Sequence, residues 1–116
     1  MSNSPSIFTR IVAREIPATI VFENDRIIAF TDIAPQAPVH LLVVPKTEQY
    51  ENVGELAAGD PALLAEIVGV AAQLATEHST GEYRLVFNSG SSVGQTVFHV
   101  HAHVLSGAIT EGSLGF

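Results

Sequence analysis

The chain has 116 residues, of which 47% are hydrophobic and 15% charged, so we expect one globular domain over residues 1–116 and not a disordered segment. Five Lys and Arg residues stand against 12 Asp and Glu, and the formal charge of −7 disfavours binding to nucleic acid or an anionic membrane. The absence of cysteine excludes disulfides, thiolate zinc sites and thiol catalysis. Residues 1–6 carry no apolar signal segment and no apolar run approaches the ~18 residues of a membrane span, so we expect a cytoplasmic protein.

The first part of the chain predicts a short helix and three strands. Ser6 is a favourable N-cap for a helix that we expect to run to about residue 14 and to end at Pro17. Residues 32–38 contain two prolines and therefore predict a stiff loop. Apolar runs predict strands at residues 20–22, 27–30 and 39–44.

A long helix is predicted to begin at Asp60-Pro61, to run to about residue 78 and to be terminated by Gly81. One face of this helix is apolar, but a second face carries only small residues, whereas a surface helix normally shows one apolar stripe. We hypothesise that a second copy of the chain packs on this small-residue face in a homodimer. The alternative is an alanine-rich helix selected for its helix propensity. The small residues are Ala62, Ala65, Gly69, Ala72 and Thr76.

Two further strands are expected at residues 83–88 and 97–105, separated by a Gly- and Ser-rich loop at residues 89–96. Strands joined by hairpins, with one long helix inserted late, are typical of an α+β fold with a mainly antiparallel sheet. The sequence therefore predicts about five strands, one short helix and one long helix.

Histidines are concentrated in the last predicted strand. His99, His101 and His103 alternate with aliphatic residues, and because strand side chains alternate between faces, we expect the three imidazoles to share one face. Each buried ring nitrogen needs a hydrogen-bond partner, so a buried cluster without a function would be costly. His40 lies in the apolar third strand, where a polar side chain also needs a reason. These four histidines are the candidate functional group.

Metal binding is one chemistry that such a cluster serves, because imidazole suits zinc, copper and nickel. Same-face neighbours on a strand lie about 6.6 Å apart, so the outer two positions are about 13 Å apart. A metal–nitrogen bond is only about 2.0–2.1 Å long. Two adjacent rings and a third ligand from elsewhere could share an ion, but all three histidines could not do so without strain. Metal binding is therefore the second interpretation, and we assign no metal ligand.

Nucleophilic catalysis on phosphorus is the other chemistry. A histidine has a reference pKa near 6.5, so much of it is neutral and nucleophilic at pH 7. One ring nitrogen must face phosphorus while an acceptor keeps the other protonated, and neighbouring histidines can move the proton of the leaving group. The Gly- and Ser-rich loop offers backbone N–H groups and hydroxyls to phosphate oxygens.

The run from His99 to Leu105 reads His-Val-His-Ala-His-Val-Leu, which matches the histidine triad signature. From about residue 7 to residue 107 the flanking segments resemble, in the expected order, the Hint branch of that superfamily, the histidine triad nucleotide-binding proteins. These segments are Ile7-Phe8, Glu15-Ile16-Pro17-Ala18, Ala29-Phe30-Thr31-Asp32-Ile33, Pro35-Gln36-Ala37-Pro38, His40 and Gly94-Gln95-Thr96.

The resemblance implies a HIT-like fold whose sheets join across a homodimer, with a purine nucleotide as substrate and no cofactor. The implied activity is hydrolysis of the P–N bond of nucleoside 5′-phosphoramidates, such as adenosine 5′-phosphoramidate, to nucleoside monophosphate and amine. It makes His101 the nucleophile that carries the nucleotidyl group, with the backbone carbonyl of His99 on its far ring nitrogen. His103 would contact the phosphate and the leaving amine, and His40 would support this network.

The resemblance also implies a substrate pocket. Asp32 would accept hydrogen bonds from the ribose hydroxyls. The phosphate site would be lined by Asn88, Gly94, Gln95 and Thr96. The base would be walled by Phe8, Ile11, Ile16, Phe30 and Ile33. Simpler interpretations of the same residues are core packing for the apolar ones, a turn cap for Asp32 and a strand end for Asn88.

Three other functions stay open at this point. They are a nucleotide-binding or scaffold protein without turnover, a dinucleoside polyphosphate hydrolase as in the related Fhit branch, and a metal-binding protein.

The charged runs at residues 48–55 and 77–82 are expected to be solvated surface, and His78 to be structural. After Gly107 the sequence lacks the tryptophan and prolines of well-studied animal relatives, in which this tail influences substrate choice, so substrate preference is left open.

Overall fold

The computed structural model describes residues 5–107 and residue 109. Within these residues, five strands form one sheet, accompanied by three helices and a 3-10 turn. The strands are β1 (Ile20–Glu23), β2 (Ile27–Thr31), β3 (Val39–Pro45), β4 (Arg84–Val86) and β5 (Ala102–Ser106). The helices are α1 (Ile7–Val12), α2 (Val53–Gly59) and α3 (Pro61–His78), and the 3-10 turn covers Ser91–Val93.

The order of strands in the sheet is β1-β2-β3-β5-β4, and each neighbouring pair is antiparallel. Strand β5 therefore lies between β3 and β4, although it comes last in the chain. In the β3–β5 register, Leu42 pairs with His103 and His40 pairs with Leu105. Because directly opposed residues share a face, His40 and His103 occupy diagonal positions on one side of the sheet. The strand order thus places His40 of β3 beside the histidine run.

The sheet is buried on both faces near its centre. One face packs against α2 and α3 through a cluster that includes Ile27, Val43 and Val104. The other face packs against α1 through Phe8, Ile11 and their neighbours in β2 and β3. Burial on both faces explains why β3 is apolar apart from His40 and does not alternate with polar residues.

Helix α3 begins and ends as predicted. The Asp60 carboxylate accepts from the N–H of Leu63 at 3.0 Å, and Pro61 occupies the first turn. Gly81 has a φ of 96° and donates its N–H to the Ala75 carbonyl at 3.2 Å, which closes the helix end. The small-residue face is largely exposed, and a Cβ at Gly69 would meet no atom within 4 Å. This face is therefore open in the single chain.

Helix α1 is shorter than predicted. The Ser6 hydroxyl caps it by accepting from the N–H of Thr9 at 3.1 Å, as expected. The helix ends at Val12, because Arg14 adopts a left-handed conformation with φ of 64° that cannot continue it. The prediction that Pro17 ends the helix was wrong.

The predicted bounds of the last two strands were also wrong. The last strand begins at Ala102 and not at residue 97, because the N–H of Val100 donates to the carbonyl of Tyr50 and not to a strand of the sheet. The charged side chains of the run at residues 48–55, Glu48, Glu51 and Glu55, are exposed as expected. Helix α2, which begins within this run, was not predicted; Asn52 caps it, and Leu56, just after the run, is fully buried. Strand β4 is three residues long, shorter than the predicted segment 83–88.

No helix among the described residues is both long and apolar enough to cross a membrane. The divergent tail after Gly107 lies outside the described residues except for Ile109.

Candidate active site

The ring of His101 is oriented by the backbone of the same segment. Its Nδ1–H donates to the carbonyl oxygen of His99 at 2.9 Å. A neutral imidazole carries one proton, so this bond leaves Nε2 with a free lone pair. Burial lowers the pKa of His101, while the hydrogen bond to His99 and the charge of Asp32 raise it, and the net shift is downward. His101 is therefore a partly exposed neutral ring in the tautomer that a nucleophile needs.

The ring of His99 points into the protein. Its Nε2–H donates to the carbonyl of Pro45 at 2.6 Å, and its Nδ1 accepts from the hydroxyl of Ser6 at 2.5 Å. The residue is 1% exposed, and burial lowers its pKa. A ring held on both nitrogens has no free position for a substrate. The atom of His99 that contacts His101 is its backbone carbonyl oxygen.

His40 and His103 form a pair with a defined direction. The backbone N–H of Gln36 donates to Nδ1 of His40 at 2.9 Å, so the His40 proton must lie on Nε2. His40 Nε2–H then donates to Nδ1 of His103 at 2.9 Å. The Asp32 carboxylate lies 3.4 Å from Nε2 of His40. His103 consequently carries its proton on Nε2, and its ring centroid lies 5.1 Å from that of His101. One backbone amide sets the proton positions of both rings.

Burial makes this pair weakly basic. The pKa of His103 is lowered to about 4. Burial is the largest cause, and the charges of His101 and His40 lower it further. Burial likewise lowers the pKa of His40, although the charge of Asp32 opposes the shift. Both rings are therefore neutral at pH 7 and can pass a proton on without retaining it.

The same three side chains have the composition of a metal site. One ligand atom each from Asp32, His40 and His103 lies within 4.8 Å of the others. A metal on Nε2 of His40 would require the ring proton to sit on Nδ1, where the N–H of Gln36 already points. Two N–H groups would then face each other, so the observed hydrogen bond disfavours metal binding here.

Helix α1 forms the wall beside the nucleophile. The Phe8 ring packs edge-on against His101 and His99, with centroid distances of 4.9 and 5.5 Å, and also contacts Phe30 at 5.7 Å. Ile11 and Ile16 belong to the same cluster. Ile33 does not, since it is 92% exposed in the loop after β2. Four of the five residues expected to wall the base therefore form one cluster, and Phe8 connects this cluster to the rings of His99 and His101.

The Gly- and Ser-rich loop is braced from inside by Gln95. Its Oε1 accepts from the N–H of Gly90 at 2.8 Å, and its Nε2 donates to the carbonyls of Glu51 and Val97 at 2.6 and 3.0 Å. The residue is 3% exposed. Its amide is therefore committed to holding the loop, which differs from the phosphate contact that the resemblance implied. Gly94, with a φ of 99°, and Thr96 are exposed, and Asn88 is half-buried.

Cavity size does not locate this site. A cavity of about 550 Å³ lies at the other end of β5, lined by Tyr83, Arg84 and Ser106 among others. None of His40, His99, His101 and His103 lines it. The candidate site is assigned from the chemistry of the histidines and not from the volume of a pocket.

Three groups that orient the rings were not predicted as site residues. The Gln36 amide and the Pro45 carbonyl are backbone groups, which no side-chain pattern reveals. Ser6 was recognised as an N-cap, but its bond to His99 joins positions 93 residues apart. The N-cap signal was the only sequence signal for this contact.

Comparison with known proteins places these features in a family. Residues 5–115 match the family model described as scavenger mRNA decapping enzyme C-term binding. An uncharacterised HIT-like protein of Synechococcus elongatus is 50% identical over 103 residues, which is 88% of this chain and 90% of that protein. The chain belongs to the histidine triad (HIT) family.

Two further HIT proteins bear on the fold and the chemistry. The purine nucleoside phosphoramidase of Escherichia coli is 39% identical over 104 residues, covering 88% of this chain and 87% of that enzyme. The crystal structure of a HIT family hydrolase from Legionella pneumophila is 45% identical and superposes with a TM-score of 0.84, over 90% of this chain and 95% of that one. The predicted α+β HIT fold is confirmed.

Proposed function

We propose that this HIT protein hydrolyses nucleoside 5′-phosphoramidates through a nucleotidyl group carried on His101. The observation that carries the proposal is the bond from His101 Nδ1–H to the His99 carbonyl, which leaves Nε2 as the nucleophilic atom. The relationship to the purine nucleoside phosphoramidase of Escherichia coli supports the choice of a P–N bond.

In the first step, Nε2 of His101 bonds to the α-phosphorus and the P–N bond of the substrate breaks. The leaving nitrogen departs with the bonding pair and with a proton that His103 delivers from solvent. The ring of His101 then carries a positive charge, which the His99 carbonyl and the nearby Asp32 carboxylate stabilise. Because the pKa of His103 is low, this ring gives up the proton readily.

In the second step, water attacks phosphorus and the bond to His101 breaks. His101 recovers the electron pair of that bond, and the proton of the water returns to solvent through His103. Nucleoside monophosphate is released, and both rings are neutral again. His40 contributes by holding His103 Nδ1, so it is a positioning residue and not a nucleophile or an acid.

The substrate is proposed to lie between α1 and the Gly- and Ser-rich loop. Asp32 would accept from the ribose hydroxyls, since its carboxylate is already fixed by the N–H of Ala34 at 2.8 Å. Exposed backbone of the loop, with Gly94, Thr96 and Asn88, would receive the phosphate oxygens. The base would rest on the Phe8, Ile11, Ile16 and Phe30 cluster and under Ile33.

Removing the nucleophile tests the proposal. We expect His101→Ala to reduce kcat for adenosine 5′-phosphoramidate by a factor of about 10³ or more, because the covalent step is lost. Gln73→Ala is the control, since Gln73 is exposed on the polar stripe of α3 and lies at none of the site positions. Liberated monophosphate is measured, with circular dichroism to verify the fold. Near-normal turnover by His101→Ala would overturn the assignment.

The same assay separates the alternatives. Saturable nucleotide binding without turnover by the unaltered protein would favour a nucleotide-binding or scaffold protein. Turnover of a dinucleoside polyphosphate but not of the phosphoramidate would favour the polyphosphate hydrolase. Both outcomes would contradict the proposed activity.

A further inference from the structure

The hydroxyl of Ser6 has two partners. It accepts a hydrogen bond from the N–H of Thr9, which caps α1, and it lies 2.5 Å from Nδ1 of His99. The N–H of Ser6 also donates to the carboxylate of Glu48 at 3.0 Å. A single residue at the start of α1 therefore contacts both the helix and the histidine run.

Hydrogen-bond chemistry decides which of the two groups donates. Nε2 of His99 gives its proton to the Pro45 carbonyl, so a neutral His99 offers only a lone pair at Nδ1. Ser6 must then donate its one hydroxyl proton to His99, because Thr9 Oγ1 is farther away at 3.4 Å. The side chain at position 6 must therefore accept a hydrogen bond from the N–H of Thr9 and donate one to Nδ1 of His99 at the same time.

This bond reaches the proposed nucleophile through two contacts. It fixes the ring of His99, whose carbonyl oxygen holds Nδ1 of His101. It also ties down the helix that carries Phe8, whose ring packs against both histidines. On the basis of the proposed function, we propose that Ser6 is a positioning residue that sets the orientation of His101 through His99.

The charged and titratable groups around His99 permit a spectroscopic test. Burial lowers the pKa of His99, the charge of Glu48 raises it and the charge of His101 lowers it. Ser6→Asp keeps an oxygen that can cap α1, but a carboxylate can only accept. We expect it to draw a second proton onto Nδ1 of His99 and to raise the pKa of this ring, which ¹⁵N NMR of the histidine side chains detects.

The kinetic expectation follows from the loss of orientation. Ser6→Asp should reduce kcat about tenfold with a smaller change in KM, because His101 is misaligned more than substrate binding is weakened. Ser6→Thr retains a hydroxyl that both accepts and donates, so its kcat and its His99 signals should match those of the unaltered protein. Asp60→Ala is the matched control, since it removes the N-cap of α3 without touching a histidine, and its kcat should stay at the unaltered value.

If Ser6→Asp does not fold, Ser6→Gly replaces it, because glycine is tolerated at an N-cap and removes the donor. Unchanged His99 signals in a folded donor-less variant, or an unchanged kcat, would overturn the proposal. If the unaltered protein shows no phosphoramidase activity, the proposed function fails. The positioning role of Ser6 can still be tested, because the ¹⁵N NMR signals of His101 show the tautomer of this ring. A fixed Nδ1–H tautomer that becomes mixed in Ser6→Asp supports positioning, and the same tautomer in both proteins contradicts it.

Discussion

At the scale of single residues, backbone groups decide the state of the imidazoles. The His99 carbonyl fixes the tautomer of His101, the Pro45 carbonyl that of His99, and the Gln36 amide that of His40. The triad motif identified the candidate rings, and the family resemblance implied the contact between the His99 carbonyl and the ring of His101. It could not predict Gln36 and Pro45, because a backbone group contributes no residue type to a pattern. The groups that fix the tautomers of these rings are therefore not visible in the side-chain sequence.

The buried pair predicts how stability depends on pH. The pKa of His103 is about 4 in the folded protein against 6.5 for the free residue, so the unfolded state binds more protons between these values. The free energy of unfolding should be at its full value above pH 6.5 and fall by about 3 kcal/mol from this residue as the pH drops to about 4. Urea denaturation at a series of pH values measures this.

His103→Asn is the control for that measurement, because it removes the titrating group and keeps an acceptor near the position of Nδ1. Its unfolding free energy should depend less on pH than that of the unaltered protein. Equal slopes for the two proteins between pH 6.5 and 4 would contradict the role assigned to His103.

At the scale of elements, the signals that succeeded were caps and apolar runs. Ser6 and Asp60 predicted helix starts, and the first three strands lie close to their predicted positions. Helix α2 was missed because its charged surroundings hid an N-cap at Asn52 with Glu55 three residues later. The last strand starts late because the N–H of Val100 donates to the carbonyl of Tyr50, a contact between positions distant in the chain.

Helix α2 is predicted to be essential to the core. Leu56 is fully buried, so Leu56→Ala should reduce the free energy of unfolding by about 2–5 kcal/mol. Ala57→Ser, on the exposed side of the same helix, should change it by no more than about 0.5 kcal/mol. Urea denaturation compares the two variants. A loss below about 1 kcal/mol for Leu56→Ala would mean that α2 does not pack as described.

At the scale of the whole molecule, the strand order assembles the site. Placing β5 beside β3 brings His103 next to His40, and the packing of α1 brings Ser6 to His99. The α+β class and the antiparallel sheet were predictable from element order and motif resemblance. The contacts between distant positions required the topology, which hydrophobic patterns do not specify.

The exposed small-residue face of α3 and the edge strand β4 support our proposal that the protein is a homodimer. Gly69→Leu should convert a dimer to a 12.3 kDa monomer, because the single chain has room for the side chain but a closely packed partner does not. Gln73→Leu, on the polar stripe of the same helix, should leave the mass unchanged. Light scattering measures both, and a dimeric Gly69→Leu would exclude this interface.

The most direct test of the account is to trap the intermediate. The protein is incubated with a fluorogenic nucleoside phosphoramidate and quenched in base, and the peptide that contains residues 99–103 is analysed by mass spectrometry. We predict a nucleotidyl adduct on His101 that is missing from His101→Ala. An adduct on another residue, or turnover with no adduct on His101 under conditions that preserve phosphohistidine, would contradict the central claim.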